Sequence, residues 1–308
     1  MVLKYGVIGS GAIGGYYGGK LANAGKDVHF LFHSDYEYVK KNGLQVDSVN
    51  GDFHLPNINA YHKTSDMPQC DVVLVALKST NNYLLKEMLP PLLHKKTLVI
   101  LIQNGLGLEE DLQKEFPDLY IAAGLAFICS CKLNDGCITH QNLGRINIGS
   151  YSCPDSSLLD AVVADFKESG VDAALADYVE ARWKKLIWNI PFNGISVVLN
   201  TSTDKLVSNP DSELLLRDMM LEVIEVANHF LPEQPIEESY VDAMIGMTKK
   251  MPPYSPSMKL DFDFHRPLET YYIYSRPILE AKKIGLDMPL VSMVEKELKF
   301  IESIYSET

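Results

Sequence analysis

The sequence lacks a hydrophobic run long enough to cross a membrane. No uninterrupted apolar stretch reaches the roughly 18–20 residues that a membrane-spanning helix needs. Met1 is followed at once by the strand-like run Val2–Gly9, not by a charged segment and a long apolar one, so we expect no secretory signal peptide. These two absences predict a cytoplasmic protein without a membrane partner.

Paired cysteine motifs are also missing. The five cysteines are odd in number and form no CxxC pair. Cys129-Ser130-Cys131 has no His/Cys partner pair at the spacing of a zinc site, so no metal site is predicted. We therefore expect reduced thiols, as is usual in the cytoplasm.

Positive charge is in deficit. From the formal net charge of −12 we expect no nucleic-acid partner, because no basic stripe offsets the repulsion of phosphate. A small anionic substrate stays compatible, because a local Lys or Arg can oppose the overall field. At 308 residues the chain exceeds the size at which single cores stop growing, about 250–300 residues, so two domains are expected.

The chain alternates strand-like and helix-like segments up to about residue 174 and is helical after that. Strands are predicted at Tyr5–Gly9, Asp27–Phe32, Val72–Leu77, Leu98–Ile102 and Tyr120–Phe127, with late strands or a hairpin at Thr139–Gly149. Helices are predicted at Ile13–Ala24, Leu158–Ser169, Tyr178–Ile190, Ser212–Phe230, Ser239–Thr248 and Thr270–Ile284. The predicted fold class is α/β, with an N-terminal Rossmann dinucleotide-binding domain (residues 1–174) followed by an all-helical C-terminal domain (residues 175–308).

A glycine-rich turn links the first predicted strand to the first predicted helix. Gly9-Ser10-Gly11-Ala12-Ile13-Gly14 fits the GxGxxG dinucleotide fingerprint in the setting that gives it meaning. Gly9 permits the tight turn, Gly11 lets the backbone approach a pyrophosphate, and Gly14 lets the helix pack against the strand. The helix N-terminus adds N–H groups and a positive dipole end. These six residues are predicted to bind a nicotinamide dinucleotide.

The end of the second strand favours NADPH over NADH. An NAD site usually has Asp or Glu there, which accepts hydrogen bonds from the ribose hydroxyls. Here the strand ends in Phe30-Leu31-Phe32-His33-Ser34, without an acid at that place. His33 and Ser34 can both donate to a 2′-phosphate, and Lys78 can add positive charge. The predicted cofactor is therefore NADPH/NADP, with NADH as the alternative.

A polar stripe marks the first helix of the predicted second domain. Lys185, Asn189 and Asn193 are spaced i, i+4, i+8, so a helix places them on one face. Apolar residues surround the stripe, whereas a solvated stripe is normally charged and not rich in amides. Pro191 is expected to kink or loosen the helix within the stripe.

Together these motifs resemble the ketopantoate reductases (2-dehydropantoate 2-reductases) over nearly the whole chain. The motifs that match the family, in order, are Gly9–Gly14, Leu77-Lys78, Gln103-Asn104-Gly105, the Lys185/Asn189/Asn193 helix, and Ser257-Met258 followed by Glu269. A single one of these motifs would be a weak signal, whereas five in the right order are a strong one.

The resemblance implies an NADP-dependent oxidoreductase of pantothenate biosynthesis that reduces a small keto acid, 2-dehydropantoate. It implies that Lys185 is the general acid that protonates the developing alkoxide, and that Glu269 holds that lysine and a substrate hydroxyl. It also implies that Asn189, Asn193 and Ser257 bind the substrate. The residues that it places at the cofactor, beyond the fingerprint, are Lys78 and Asn104.

The sequence departs from the family pattern after Glu269. Thr270-Tyr271-Tyr272-Ile273-Tyr274-Ser275 stands where the family usually has Ile/Leu-Asp and then Asn-Gly, and Pro256 interrupts a Ser-Ser-Met sequence. Tyr271 and Tyr274 either reshape the substrate pocket or pack a helix interface or a subunit contact of a homodimer. Three functions therefore stay open: reduction of 2-dehydropantoate, reduction of another 2-keto acid, and non-catalytic regulation through dinucleotide binding.

Overall fold

The computed structural model describes residues 2–306, which form two compact units. The first unit contains the chain up to Gln103 together with Leu108–Tyr178, and the second contains Asn104–Gly107 and the chain from Val179 onward. The sequence predicts a single boundary between residues 174 and 175. The structure differs in that Asn104–Gly107 groups with the second unit. A backbone hydrogen bond explains it, because the Leu106 N–H donates to the Tyr272 carbonyl of the second unit at 2.9 Å.

A ten-stranded mixed sheet lies at the centre of the first unit. Its strands are β1 (Lys4–Ile8), β2 (Asp27–Leu31), β3 (Leu44–Ser48), β4 (Phe53–Leu55), β5 (Asn59–Tyr61), β6 (Val72–Val75), β7 (Leu98–Leu101), β8 (Tyr120–Asn134), β9 (Cys137–Ser150) and β10 (Ala173–Leu175). The order is β4-β3-β9-β8-β7-β6-β1-β2-β5, and β10 pairs with β9. The parallel run β8-β7-β6-β1-β2-β5 has the strand order of a Rossmann sheet, so the predicted fold is confirmed.

The antiparallel pair β8–β9 is longer than the sequence predicts. The predicted strand ends at Phe127 with its apolar run, but β8 continues to Asn134 because β9 pairs with it. His140 contacts an irregular stretch of β9, where the register with β8 shifts: its Nε2 lies 3.0 Å and 3.2 Å from the carbonyl oxygens of Asn142 and Leu143. Burial lowers the pKa of His140 and so favours the neutral ring. Leu143 adopts a φ of 63°, so this histidine stabilises a strained backbone conformation within the strand.

Short helices cover the sheet. They are α1 (Ala12–Asn23), α2 (Tyr36–Asn42), α3 (Leu85–Met88), α4 (Leu108–Glu115) and α5 (Ser156–Glu168), with 3₁₀ turns at Thr64–Asp66, Ser79–Leu84 and Pro90–Leu92. The α1 helix packs its aromatic residues into the core, where the Tyr17 and Phe166 rings meet edge to face at 5.9 Å. Asp155 caps α5 by accepting from the Leu158 N–H at 3.3 Å.

The second unit is helical, as predicted. It contains α6 (Tyr178–Val198), α7 (Thr203–Ser208), α8 (Pro210–His229), α9 (Ser239–Lys249), α10 (Ser257–Asp263), a π-helical turn (Tyr271–Ser275), α11 (Arg276–Lys283) and α12 (Pro289–Ser306). The predicted end of α6 at Ile190 is wrong, because the helix continues through Pro191 to Val198. Burial of Ile190, Phe192 and Ile195 on that segment sustains the helix despite the proline. Within residues 2–306, none of the helices is both long and apolar enough to cross a membrane.

Candidate active site

The turn between β1 and α1 has the geometry of a dinucleotide-binding loop. Gly9 adopts a φ of +89°, which favours glycine, and a Cβ there would lie 2.6 Å from the Leu77 nitrogen. A Cβ on Gly14 would collide with the Gly9 carbonyl oxygen, so this residue lets the helix approach the strand. Ser10 donates from Oγ to the Leu31 carbonyl at 2.9 Å and ties the loop to the end of β2.

The N-terminus of α1 fits a phosphate group. Its N-cap residue is Gly11, and within the described chain no side chain caps it and no acidic residue lies in the first turn. Among the described residues, apart from Gly11 and those beside it in the chain, no atom lies within 4 Å of the position that a Gly11 Cβ would take. The N–H groups of the first turn and the positive end of the helix dipole are therefore open to an anion.

An acid near the end of β2 is already neutralised. Asp35 follows the exposed His33 closely and is buried, with Lys132 Nζ 2.5 Å from its Oδ2. The Gly136 N–H donates to the same oxygen at 3.3 Å. His33 stacks loosely on His62, with ring centroids 6.3 Å apart. This carboxylate is thus engaged with a lysine, whereas His33 and Ser34 are exposed polar residues at the end of the strand.

The other two predicted cofactor residues follow the next strands of the sheet. Lys78 follows β6 and is half-buried, immediately before the 3₁₀ turn Ser79–Leu84. Gln103 fixes this turn, since its Nε2 donates to the Leu77 carbonyl at 2.8 Å and to Asn82 Oδ1 at 2.7 Å. Asn104 follows β7 and belongs to the second unit.

The polar stripe of α6 is buried, which excludes a solvated surface face. The exposed fractions are 8% for Lys185, 6% for Asn189 and 1% for Asn193. Glu269, which precedes the π-helical turn, is 4% exposed. Buried amides and a buried ammonium group carry a desolvation cost, so a stripe of them in an apolar helix indicates a binding or catalytic role.

Lys185 has the electrostatic surroundings of a proton donor. Burial lowers its pKa to about 7, and the positive charge of Arg182 adds to this effect. The negative charge of Glu269 acts in the opposite direction and raises the pKa. Near neutral pH, Lys185 is therefore divided between its protonated and neutral forms, which suits a group that gives up and regains a proton.

Arg182 is the residue of this site that the sequence interpretation missed. It lies three positions before Lys185 on α6, so both point to the same side of the helix, and it is buried. The signal in the sequence was the i, i+3 spacing between Arg182 and the candidate catalytic residue Lys185. An arginine near a helix start is ordinarily a surface residue, which is why the signal is weak.

The predicted substrate residue Asn193 is bonded to the backbone of Met258, the residue after Ser257. Asn193 Oδ1 accepts from the Met258 N–H at 3.2 Å, so it anchors the start of α10, where Ser257 is half-buried. Asn189 Nδ2 is buried and has no hydrogen-bond partner within the described part of the chain. A buried donor of this kind is costly, and a bound ligand that accepts from it would remove the cost.

The tyrosines after Glu269 differ in their surroundings. Tyr271 is 49% exposed, and its ring meets that of Tyr272 edge to face at 4.9 Å. Tyr274 is fully buried and donates from its hydroxyl to the Ile190 carbonyl at 2.7 Å. Of the two readings for Tyr274, helix packing is therefore the one that its contacts support.

Comparisons with known proteins point to one family over most of the chain. The family described as ketopantoate reductase PanE/ApbA matches residues 5–152, and ketopantoate reductase PanE/ApbA C terminal matches residues 177–302. A 2-dehydropantoate 2-reductase from Nostoc sp. is 43% identical over 97% of this chain and 95% of the relative.

Solved structures show the same similarity. A 2-dehydropantoate 2-reductase from Geobacter metallireducens GS-15 has a TM-score of 0.93 and 39% identity, covering 96% of this chain and 99% of that one. D-Mandelate dehydrogenase with NADH and anilino(oxo)acetate has a TM-score of 0.86 at 20% identity, covering 98% and 99% of the two chains, and shares the fold.

Proposed function

This chain belongs to the ketopantoate reductase family, and from that membership we propose that it reduces 2-dehydropantoate to pantoate, a step of pantothenate biosynthesis, with NADPH as the reductant. The observation that carries the proposal is the buried Lys185. Burial and the charge of Arg182 lower its pKa to about 7, and the charge of Glu269 acts in the opposite direction. A protein that only binds a dinucleotide has no need of such a proton donor.

The proposed cofactor site consists of the six fingerprint residues Gly9–Gly14 together with His33, Lys78 and Asn104. The open N-terminus of α1 supports phosphate binding there. When bound, the reduced nicotinamide ring supplies the hydride. The Lys132–Asp35 ion pair supports NADPH over NADH, because it withdraws the nearby carboxylate from the ribose and lessens repulsion of a 2′-phosphate.

In the proposed mechanism Lys185 donates a proton from Nζ to the substrate carbonyl oxygen as negative charge develops on it. Glu269 keeps the pKa of Lys185 from falling further, so that a protonated fraction persists at neutral pH. We assign Glu269 the additional task of accepting a hydrogen bond from a substrate hydroxyl. Lys185 regains its proton once the alcohol product has left.

Asn189, Asn193 and Ser257 are the proposed substrate ligands. The buried Nδ2 of Asn189 supports this assignment for Asn189 itself. Asn193 contributes to the site at least by fixing α10 through the Met258 N–H, and so it orients Ser257. Amide and hydroxyl donors match the carboxylate and hydroxyl oxygens of a keto acid.

A different small 2-keto acid is the second candidate substrate. The run Thr270–Ser275 departs from the family pattern, and Tyr271 keeps about half of its surface exposed. Steady-state oxidation of NADPH and of NADH, measured with 2-dehydropantoate beside a panel of 2-keto acids, distinguishes the candidates. We expect the highest kcat/KM with 2-dehydropantoate and NADPH, and a collapse of turnover in Lys185→Ala.

Three outcomes would contradict parts of this proposal. A higher kcat/KM on another keto acid would reassign the substrate, and full turnover in Lys185→Ala would remove the proton-donor role. NADPH binding without turnover on any keto acid would favour the regulator. We further propose a cytoplasmic homodimer, which light scattering of the purified protein and fractionation of cells test directly.

A further inference from the structure

The hydroxyl of Tyr274 lies against the backbone of α6. It donates to the Ile190 carbonyl at 2.7 Å, and the Gly194 N–H donates to it in turn. Tyr274 therefore bridges a carbonyl and an amide four residues apart, which in an ordinary helical turn bond to each other. A side chain inserted at such a turn is a recognised cause of local helix distortion.

Gly194 makes this contact possible. A Cβ on Gly194 would lie 2.6 Å from the Tyr274 oxygen and would collide with Val294 Cγ1. Pro191 lies inside the same turn and, lacking an N–H, removes a helical hydrogen bond to Ile187. The α6 segment around Pro191 thus lacks one backbone hydrogen bond, and the tyrosine contacts that segment from outside the helix.

This turn separates the functional side chains of α6. Lys185 and Asn189 precede it, and Asn193 lies within it. Asn193 also anchors α10 through the Met258 N–H, so a displacement of the turn reaches the neighbouring Ser257. The backbone conformation of this turn therefore sets the distance between Lys185, the proposed proton donor, and Asn193 in the proposed substrate site.

The segment around Tyr274 also contains Glu269, the residue whose negative charge acts on Lys185. Glu269 lies just before the π-helical turn Tyr271–Ser275, and its negative charge raises the pKa of Lys185. The i→i+5 bonding of a π turn inserts one extra residue relative to an α turn, and such turns are frequent at functional sites. Glu269 and Tyr274 thus both act on α6: Glu269 acts on the charge of Lys185, and Tyr274 binds the backbone of Ile190.

We propose that Tyr274 is a positioning residue, whose hydroxyl holds the Ile190–Gly194 turn of α6 in place and thereby fixes Asn193 relative to Lys185 and Asn189. The inference rests on the proposed function, because the residues that it positions are those assigned to proton transfer and substrate binding. Without the hydroxyl, the turn loses this contact from outside the helix, while the backbone bonds of α6 and the buried ring preserve the fold.

The test compares Tyr274→Phe with Tyr240→Phe. Both variants lose one tyrosine hydroxyl from the second unit, but Tyr240 lies on α9, with its ring 5.5 Å from Lys184 Nζ. We expect kcat on 2-dehydropantoate to fall at least about 10-fold in Tyr274→Phe, since a misplacement of about 1 Å can cost about 100-fold. The KM for NADPH should stay unchanged, and Tyr240→Phe should match the wild type in kcat. A lower unfolding temperature with an unchanged kcat would reduce Tyr274 to a structural residue and overturn the proposal.

A crystal structure of each protein makes the test independent of the substrate. In Tyr274→Phe we expect a changed distance from the Ile190 oxygen to the Gly194 nitrogen and a displaced Asn193 side chain. If both stay as in the wild type, the positioning role is refuted whatever the enzyme reduces. If the wild type shows no turnover of 2-dehydropantoate while Asn193 moves in the variant, the proposed function fails and the positioning role stands.

Discussion

Replacing Lys185 by methionine should stabilise the protein while abolishing its turnover. Burial, together with Arg182, lowers the pKa of Lys185 from its ordinary 10.5 to about 7. Because each pKa unit corresponds to about 1.4 kcal/mol, keeping this ammonium group buried and protonated costs about 5 kcal/mol of folding free energy. Methionine fills a similar volume without a charge, so the variant should recover much of that free energy.

The gain in stability should depend on pH in a defined direction. Below pH 7 both the folded and the unfolded chain carry the proton, so the penalty of Lys185 is complete. Between pH 7 and 10.5 the unfolded chain binds more protons than the folded one, so the stability of the wild type rises with pH. The advantage of the variant should therefore fall from about 4 kcal/mol at pH 7 to about 2 kcal/mol at pH 9.

Urea denaturation at the two pH values measures this difference. Trp183 and Trp188 both lie on α6, so their fluorescence follows the second unit. Lys184→Met is the matched control, because Lys184 is partly exposed and paired with Glu180 at 2.5 Å; its replacement should change stability by less than about 1 kcal/mol. Losses that do not vary with pH cancel between the two conditions. A stability difference between Lys185→Met and wild type that stays constant from pH 7 to pH 9 would refute the reasoning.

Three further predictions concern the neighbours of this lysine and the cofactor loop. Glu269→Gln removes the charge that raises the pKa of Lys185, so the loss of kcat/KM at alkaline pH should move to lower pH in a pH–rate profile; a shift to higher pH would contradict the assigned sign. Asn189→Leu replaces a buried amide donor without a partner among the described residues, so thermal unfolding should show a gain of about 1 kcal/mol while the KM for the keto acid rises; an unchanged KM would argue against substrate contact. Lys132→Met leaves Asp35 without its cation, so the ratio of kcat/KM for NADPH to that for NADH should fall, and an equal ratio would detach this ion pair from cofactor choice.

The Rossmann strands were predictable because their environment is uniform. The strands β6 and β7 are buried at every position, so their apolar runs are complete and easily recognised in the sequence. The strands β4 and β5 are three residues long and partly exposed, and no such run marks them. The second half of β8 depends on pairing with β9, a partner that periodicity within one segment does not reveal.

The residue types of the candidate site were predictable from the sequence. The tertiary contacts that hold these residues in position were not. The i, i+4, i+8 spacing is enough to place Lys185, Asn189 and Asn193 on one face of α6. The direction of Tyr274 is a different matter, because the π turn changes the helical phase between Glu269 and Arg276. Its contact with Gly194 joins positions far apart in the chain, and the tolerance of α6 for Pro191 depends on that kind of tertiary contact.

The segment Asn104–Gly107 limits how this protein recombines with its relatives. Its Leu106 N–H bonds to the Tyr272 carbonyl, although more than 150 residues separate the two along the chain. A chimaera that exchanges everything after residue 174 would therefore combine a loop from one parent with a π turn from the other. Chimaeras that exchange Asn104–Gly107 together with the helical part should fold more often. The unit to be exchanged is therefore encoded by two separate stretches of the gene.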